Sequence, residues 1–131
     1  MSPDLQTEQD AKSTVLEFFD LAFVQRKAAQ ARERYMGETY IQHNPGAPDG
    51  PDLFVEFIGQ FQAMAPDMRF DIKRVIAEGD LVVLHYHLTM TPDDPGRAVV
   101  DIFRVEDGRI VEHWDVMQPV PADSANDNGM F

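Results

Sequence analysis

The chain has 131 residues, of which 44% are hydrophobic, and carries 23 acidic against 11 basic side chains for a net charge of −12. That length and apolar content suit one domain with a real core, while the negative charge argues against nucleic acid or an anionic membrane surface as partner. The lack of cysteine excludes disulfides, thiolate metal sites and cysteine nucleophiles, and no apolar run approaches the roughly 18 residues of a membrane helix.

The opening stretch MSPDLQTEQDAKS is polar and acidic, without the basic start and apolar centre of a secretion signal, so a soluble cytoplasmic protein is expected. Residues 8–36 read as helical. Val15, Leu16, Phe18, Phe19, Ala22 and Phe23 share one broad face, and QRKAAQARERYM is rich in helix formers. A break near Phe23–Lys27 divides this into two helices, and Gly37 stands where the second should end. Glu38–Asp52 holds three prolines and two glycines and reads as a loop, with room for a short extra strand. Asp52 is placed to cap a third helix over Leu53–Met64, whose residues Leu53, Phe54, Phe57, Ile58 and Phe61 recur at helical spacing.

Four strands follow: MRFDIKRVIAEGD, LVVLHYHLTMT, RAVVDIFRVED and IVEHWDVMQPVP, the last two joined by a tight turn in EDGR. The expected fold class is α+β, one domain over residues 1–131, with N-terminal helices in the concave face of a curved, mainly antiparallel sheet. Such a cone leaves a cavity at its open end. Residues 1–8 and the small, polar tail 122–131 are expected to be peripheral or flexible.

Strand parity sorts the polar groups. On the second strand Val83, His85, His87 and Thr89 oppose Val82, Leu84, Tyr86, Leu88 and Met90; on the third, Val99, Asp101, Phe103 and Val105 oppose Val100, Ile102 and Arg104. On the fourth, Val111, His113, Asp115 and Met117 oppose Ile110, Glu112, Trp114, Val116 and Gln118. If Asp107–Gly108 are the turn residues, Glu106 meets Arg109, Phe103 meets Glu112 and Asp101 meets Trp114. A one-residue change instead sets Phe103 against Val111 or His113, and Asp101 against His113 or Asp115. Both sheet faces are too apolar for one to lie in water. One face is therefore expected to meet helices and cavity, the other a second copy of the chain in a homodimer.

YIQHNP (Tyr40–Pro45), followed by a loop and an aromatic helix, together with VDIFRVEDGRIVEHWDVMQPVP (Val100–Pro121), resembles the SnoaL-like polyketide cyclase family of the nuclear-transport-factor-2-like superfamily. The likeness runs over nearly the whole chain and is nearest to the branch described as aldol-condensation enzymes. It implies a cofactor-free, metal-free pocket for a small hydrophobic carbonyl compound. By place after the hairpin, the family's last-strand acid/base aspartate matches Asp115, and Asp101 matches the polar position of the preceding strand. The resemblance favours the face with His85, His87, Asp101, His113 and Asp115 as cavity wall.

On this reading Asp115, His113, Asp101 and His85 are the candidate catalytic groups. His43, Asn44, Tyr40, His87, Phe103, Phe19 and Phe57 are the candidate substrate contacts. An aspartate in an apolar pocket is suited to removing a proton next to a carbonyl, and a neighbouring acid can hydrogen-bond the developing oxyanion. Each group has a structural alternative: Asp115 capping a turn, Asp101 pairing with His85 or His113, Asn44 holding a helix-ending turn, and the phenylalanines as plain core. His85 and His87, with Asp101 or His43, have a spacing that also suits a metal. No nucleotide motif, phosphate-binding loop or serine elbow is present. Aldol-type condensation, cyclisation or isomerisation is the leading expectation, a non-catalytic binding or dimerisation module the alternative. Epoxide hydrolysis comes third, because Arg104 falls on the face away from the carboxylates.

Overall fold

The structure, a computed structural model, describes residues 3–131; Met1 and Ser2 lie outside the described residues. Helix α1 (Pro3–Phe19) buries Ala11, Val15, Phe18 and Phe19 along one stripe. Residues 3–8, expected at the periphery, form its mostly exposed first turns. It runs into a single π-helical turn (Asp20–Val24), closed by the Gln25 N–H donating to the Asp20 carbonyl at 2.8 Å. Arg26 then takes a φ of 59°. Its guanidinium donates to the carbonyls of Gln62, Ala65 and Pro66 at 3.1, 2.9 and 2.8 Å, the first two of which also accept the Ala65 and Met68 N–H groups, at a helix end where carbonyls lack intrahelical donors. The break between the first two helices is thus a clamp on the end of the third.

Helix α2 (Ala28–Tyr35) passes directly into strand β1 (Met36–Gln42). Gly37 therefore does not end the helix as expected; it lies inside the strand, where an added Cβ would stand 3.0 Å from Val111 Cγ1. Its missing side chain lets β1 lie close against the last strand. Helix α3 (Pro51–Met64) begins with Gly50 at the cap position and proline in its first turn. Asp52 does not cap it; its carboxylate pairs with Arg32 at 2.9 Å.

Strands β2 (Arg69–Glu78), β3 (Leu81–Thr89), β4 (Arg97–Glu106) and β5 (Arg109–Pro119) form the antiparallel meander the alternation predicts. β1 adds in parallel beside β5, giving the order β1-β5-β4-β3-β2. The helices cover the inner face, where Phe18 meets Phe103 at 5.8 Å between ring centres and Phe19 meets Phe70 and Tyr86 at 5.4 and 5.2 Å. No helix among the described residues is long and apolar enough to cross a membrane.

The β4–β5 hairpin contains two of the three registers that parity left open. Glu106 faces Arg109 across Asp107 and Gly108, whose φ angles of 52° and 74° mark a two-residue turn with both central residues left-handed. Val105 faces Ile110, but Arg104 faces Glu112, so Val111 is an extra residue on β5. Beyond this bulge Phe103 faces His113 and Asp101 faces Asp115.

The inner face of β3 is the apolar one. Leu84 pairs with Asp101 and Tyr86 with Val99, while His85 and His87 pair with Val100 and Ala98 on the outer face. The expectation that these histidines share a face with Asp101, His113 and Asp115 is therefore wrong. The chain's last residue lies over them, the Phe131 ring standing 4.5 Å from His87 and 5.7 Å from His85, with Lys73 Nζ 5.5 Å from its centre.

Candidate functional site

A cavity of about 150 Å³ opens between the inner face of the sheet, α3 and the loop after β1. That is the volume of a benzene-sized body, with an open side toward solvent. Most of its wall is apolar, built from Phe54, Phe57, Ile58 and Phe61 of α3, with Phe23, Phe70, Leu88, Phe103 and Met117. Polar groups enter only from β1, the following loop and the inner faces of β3, β4 and β5: Tyr40, Gln42, Asn44, Tyr86, Arg97, Asp101, His113 and Asp115.

Asp101 and His113 are both buried, 4% and 8% exposed, with Asp101 Oδ1 3.1 Å from His113 Nε2. The other ring nitrogen, Nδ1, lies 2.7 Å from Gln42 Oε1. That oxygen also accepts the backbone N–H groups of His43 and Asn44 at 3.1 and 3.2 Å. Two obligate donors on one amide atom identify it as the oxygen, so His113 Nδ1 must carry a proton and donate it. A neutral His113 would then present a bare Nε2 and require Asp101 to be protonated; a charged His113 would donate from Nε2 to the carboxylate. One proton sits between them either way.

Asp115, directly across from Asp101, is half-buried and accepts from Asn44 Nδ2 at 2.9 Å. Asn44 is oriented by the same logic, since its Oδ1 accepts the Gly46 N–H at 2.7 Å. Alternation at the end of β1 therefore turns Tyr40, Gln42 and Asn44 inward. Burial first, and then the Asp101 carboxylate, push the Tyr40 and Tyr86 hydroxyls far above their ordinary range. Tyr86 is also hydrogen-bonded to Asp101. Both tyrosines remain neutral, Tyr86 donating to Asp101 and Tyr40 accepting from Gln42 Nε2 at 3.4 Å. The side-chain donor atoms of Asp101, His113 and Asp115 converge within 4.8 Å, a spacing that a cation could also bridge. The Gln42 and Asn44 bonds and the shared proton describe the cluster more directly as a hydrogen-bonded relay.

Of the residues singled out in the sequence, Asp101, His113, Asp115, Tyr40, Asn44, Phe103 and Phe57 line this cavity. Four others do not. His85 binds Arg74 on the outer face, where desolvation and then that guanidinium hold the imidazole below its ordinary range. His87 Nε2 donates to the Pro95 carbonyl at 2.8 Å. His43 points away from Gln42 and Asn44, bonding Glu112 at 2.7 Å and stacking on Trp114 at 4.7 Å. Phe19 is 1% exposed, behind the cavity wall. His85 and His87 stand away from Asp101, and His43 is held by Glu112 and Trp114, so the metal grouping weighed for them is not assembled among the described residues. Arg104 lies on the outer face as assigned, bound to Glu112 at 2.8 Å, and the arginine on the cavity is Arg97. Gln42, Tyr86 and Arg97 were not anticipated; extended alternation from Tyr40 through Gln42 to Asn44 was the available signal for the first.

Residues 15–113 match the family model described as a SnoaL-like domain. The chain belongs to the SnoaL-like domain family. Solved structures agree on the fold of this SnoaL-like protein. A candidate polyketide cyclase from Acidithiobacillus ferrooxidans aligns with a TM-score of 0.70 at 22% identity, over 89% of this chain and 91% of that one. A candidate SnoaL-like polyketide cyclase from Jannaschia sp. CCS1 gives 0.72 at 23%, over 89% of each. A candidate ketosteroid isomerase from Kribbella flavida gives 0.72 at 15%, over 91% and 85%. No curated protein matches the chain significantly.

Proposed function

We propose that this SnoaL-like pocket carries out cofactor-independent proton transfer on a small apolar carbonyl compound. The observation that carries the reading is the hydrogen-bonded chain Gln42–His113–Asp101 in an apolar cavity, directly across from a second carboxylate. Asp115 is the base: it takes a proton from the carbon next to the carbonyl, and the C–H electron pair moves toward the carbonyl oxygen. The proton held by Asp101 and His113 meets that oxygen and yields the enol. Attack of the enol carbon on a second carbonyl forms a carbon–carbon bond as that C=O π bond breaks. The enol O–H returns its proton to Asp101 and His113, and Asp115 gives its proton to the new alkoxide, completing an aldol-type addition or cyclisation. Delivery of the Asp115 proton to a different carbon of the enol gives an isomer instead. Preorganised donors of this kind favour the charge as it develops. The phenylalanines of α3 bind the ligand's apolar body and exclude water.

The test is α-proton exchange of phenylacetone in deuterium oxide, followed by NMR. The native protein should exceed background by at least about a hundredfold, the usual worth of a positioned base, and D115N should fall to background while still binding the ketone. Bound ketone with no exchange by native protein makes the molecule a binding module instead.

The sheet's outer face supports a homodimer as the quaternary state. Val83, Val100, Ile102 and Trp114 are half-buried there, and Ile76 and Val116 stand 56% and 72% exposed, a surface that association would cover. Sedimentation at micromolar concentration should give twice 14.9 kDa; a monomer there removes the dimer.

A further inference from the structure

The cavity has a second polar end. Arg97 is the first residue of β4, paired with Leu88 on one side and Pro119 on the other, on the same inner face as Asp101. It lines the cavity, yet makes no hydrogen bond or ion pair with any described residue. The carboxylate nearest in sequence, Asp94, is already engaged: one oxygen accepts the Met90 N–H at 2.9 Å and the other the Gly96 N–H at 3.0 Å. Asp94 attracts Arg97 through space only, so the exposed guanidinium at the cavity mouth keeps its hydrogen-bond donors open to an anion.

We infer that Arg97 is a binding subsite for a carboxylate on the substrate, so that the pocket takes apolar oxo-acids rather than neutral ketones. The inference rests on the carbonyl reading above and adds the far end of the molecule. Four residues of strand separate Arg97 from Asp101, about 13 Å between Cα atoms at the usual rise. The guanidinium reaches back over part of that span, leaving on the order of 10 Å between the two polar ends. A ligand would set its reacting carbonyl against Asp101, His113 and Asp115, its apolar body along Phe57 and Phe61, and its carboxylate at the mouth. There the planar fork of the guanidinium matches two carboxylate oxygens. The arrangement orients the ligand as well as holding it. A chain entering the other way would bring its carboxylate up to two aspartates.

The test measures binding of a phenyl ketone bearing an alkyl carboxylate, and of its methyl ester, by titration calorimetry on the native protein, R97Q and R97K. The native protein should prefer the acid by about tenfold at low salt, with the preference shrinking as salt rises. R97Q should lower the preference to below about twofold while ester affinity holds, which also reports an intact pocket; R97K should keep part of it. Equal affinity of native protein for acid and ester overturns the subsite and leaves the carbonyl pocket standing. Equal loss of both ligands in R97Q likewise overturns it. If native protein binds neither ligand, the pocket reading falls and the subsite with it.

Discussion

Replacing Gln42 by leucine tests the proton assignment at its source. Gln42 Oε1 accepts from His113 Nδ1, the His43 N–H and the Asn44 N–H. The His43 N–H keeps a second acceptor, the His113 carbonyl at 3.0 Å. The other two donors lose the one acceptor each has. A buried donor left unpaired costs about 1–3 kcal/mol. Gln42 is only half-buried, so water compensates in part and the two together should cost about 2–3 kcal/mol. For a domain of this size that lowers the melting temperature by roughly 6–12 °C. The diagnostic change is at the ring: with no acceptor at Nδ1, a neutral His113 moves its proton to Nε2 and donates to an ionised Asp101. Gln42→Glu does the reverse, keeping both ring nitrogens protonated beside an added carboxylate. Nitrogen-15 shifts of the histidine ring separate the three states. A native His113 with no proton on Nδ1 refutes the reasoning outright, and so does Q42L with an unchanged ring and unchanged melting.

Three further outcomes follow from contacts already described. Hydrogen bonds from His43 and then Arg104 hold Glu112 below the usual carboxylate range, so its contribution is complete above the unfolded value near pH 4–5 and is lost as pH falls through the lower folded value. E112Q should therefore lose about 1–3 kcal/mol at neutral pH, and its melting curve should converge with the native one in acid. Asn44→Asp sets a carboxylate against Asp115 where an amide N–H now donates; α-proton exchange should fall by about tenfold or more, while Asn44→Ala should lose less. Deleting Val111 removes the bulge yet leaves Glu112 opposite Arg104, His113 opposite Phe103 and Asp115 opposite Asp101, so a folded product should keep α-proton exchange; its loss in a folded product would refute the register argument.

The fold was legible because each element carries its own period. Phe54, Ile58 and the neighbouring aromatics announce α3, alternation announces the meander, and Asp107–Gly108 announce the hairpin. β1 was legible only as room for a short strand in the loop before α3, since MGETYIQ sits beside a single partner strand and Gly37 resembles a helix stop. The cluster was half legible. Asp101, His113 and Asp115 could be placed on common faces within their own strands, but parity says nothing about which face of one strand adjoins which face of the next. The family resemblance joined His85 and His87 to the aspartates by favouring the face that carries them as cavity wall. The inner wall is in fact mostly apolar; β3 supplies it with Leu84, Tyr86 and Leu88, and its imidazoles go outside.

Val111 shows why that gap could not be closed by counting. The tight turn demands that Glu106 face Arg109, and continued without interruption that register sets Asp101 opposite Trp114, with Glu112 and Trp114 facing the helices. The extra residue on β5 rotates every later side chain by one position. His113 and Asp115 come to the cavity, while Glu112 and Trp114 go to the outer face to meet Arg104 and His43. Gly37 is part of the same device, because its bare backbone is what accommodates Val111 Cγ1. β1 then delivers Gln42 to Nδ1 of His113 and Asn44 to Asp115. The acid and the base of the proposed reaction thus face the cavity because Val111 is left out of the β4–β5 ladder and β1 closes over it, two features that no side chain in the pocket announces.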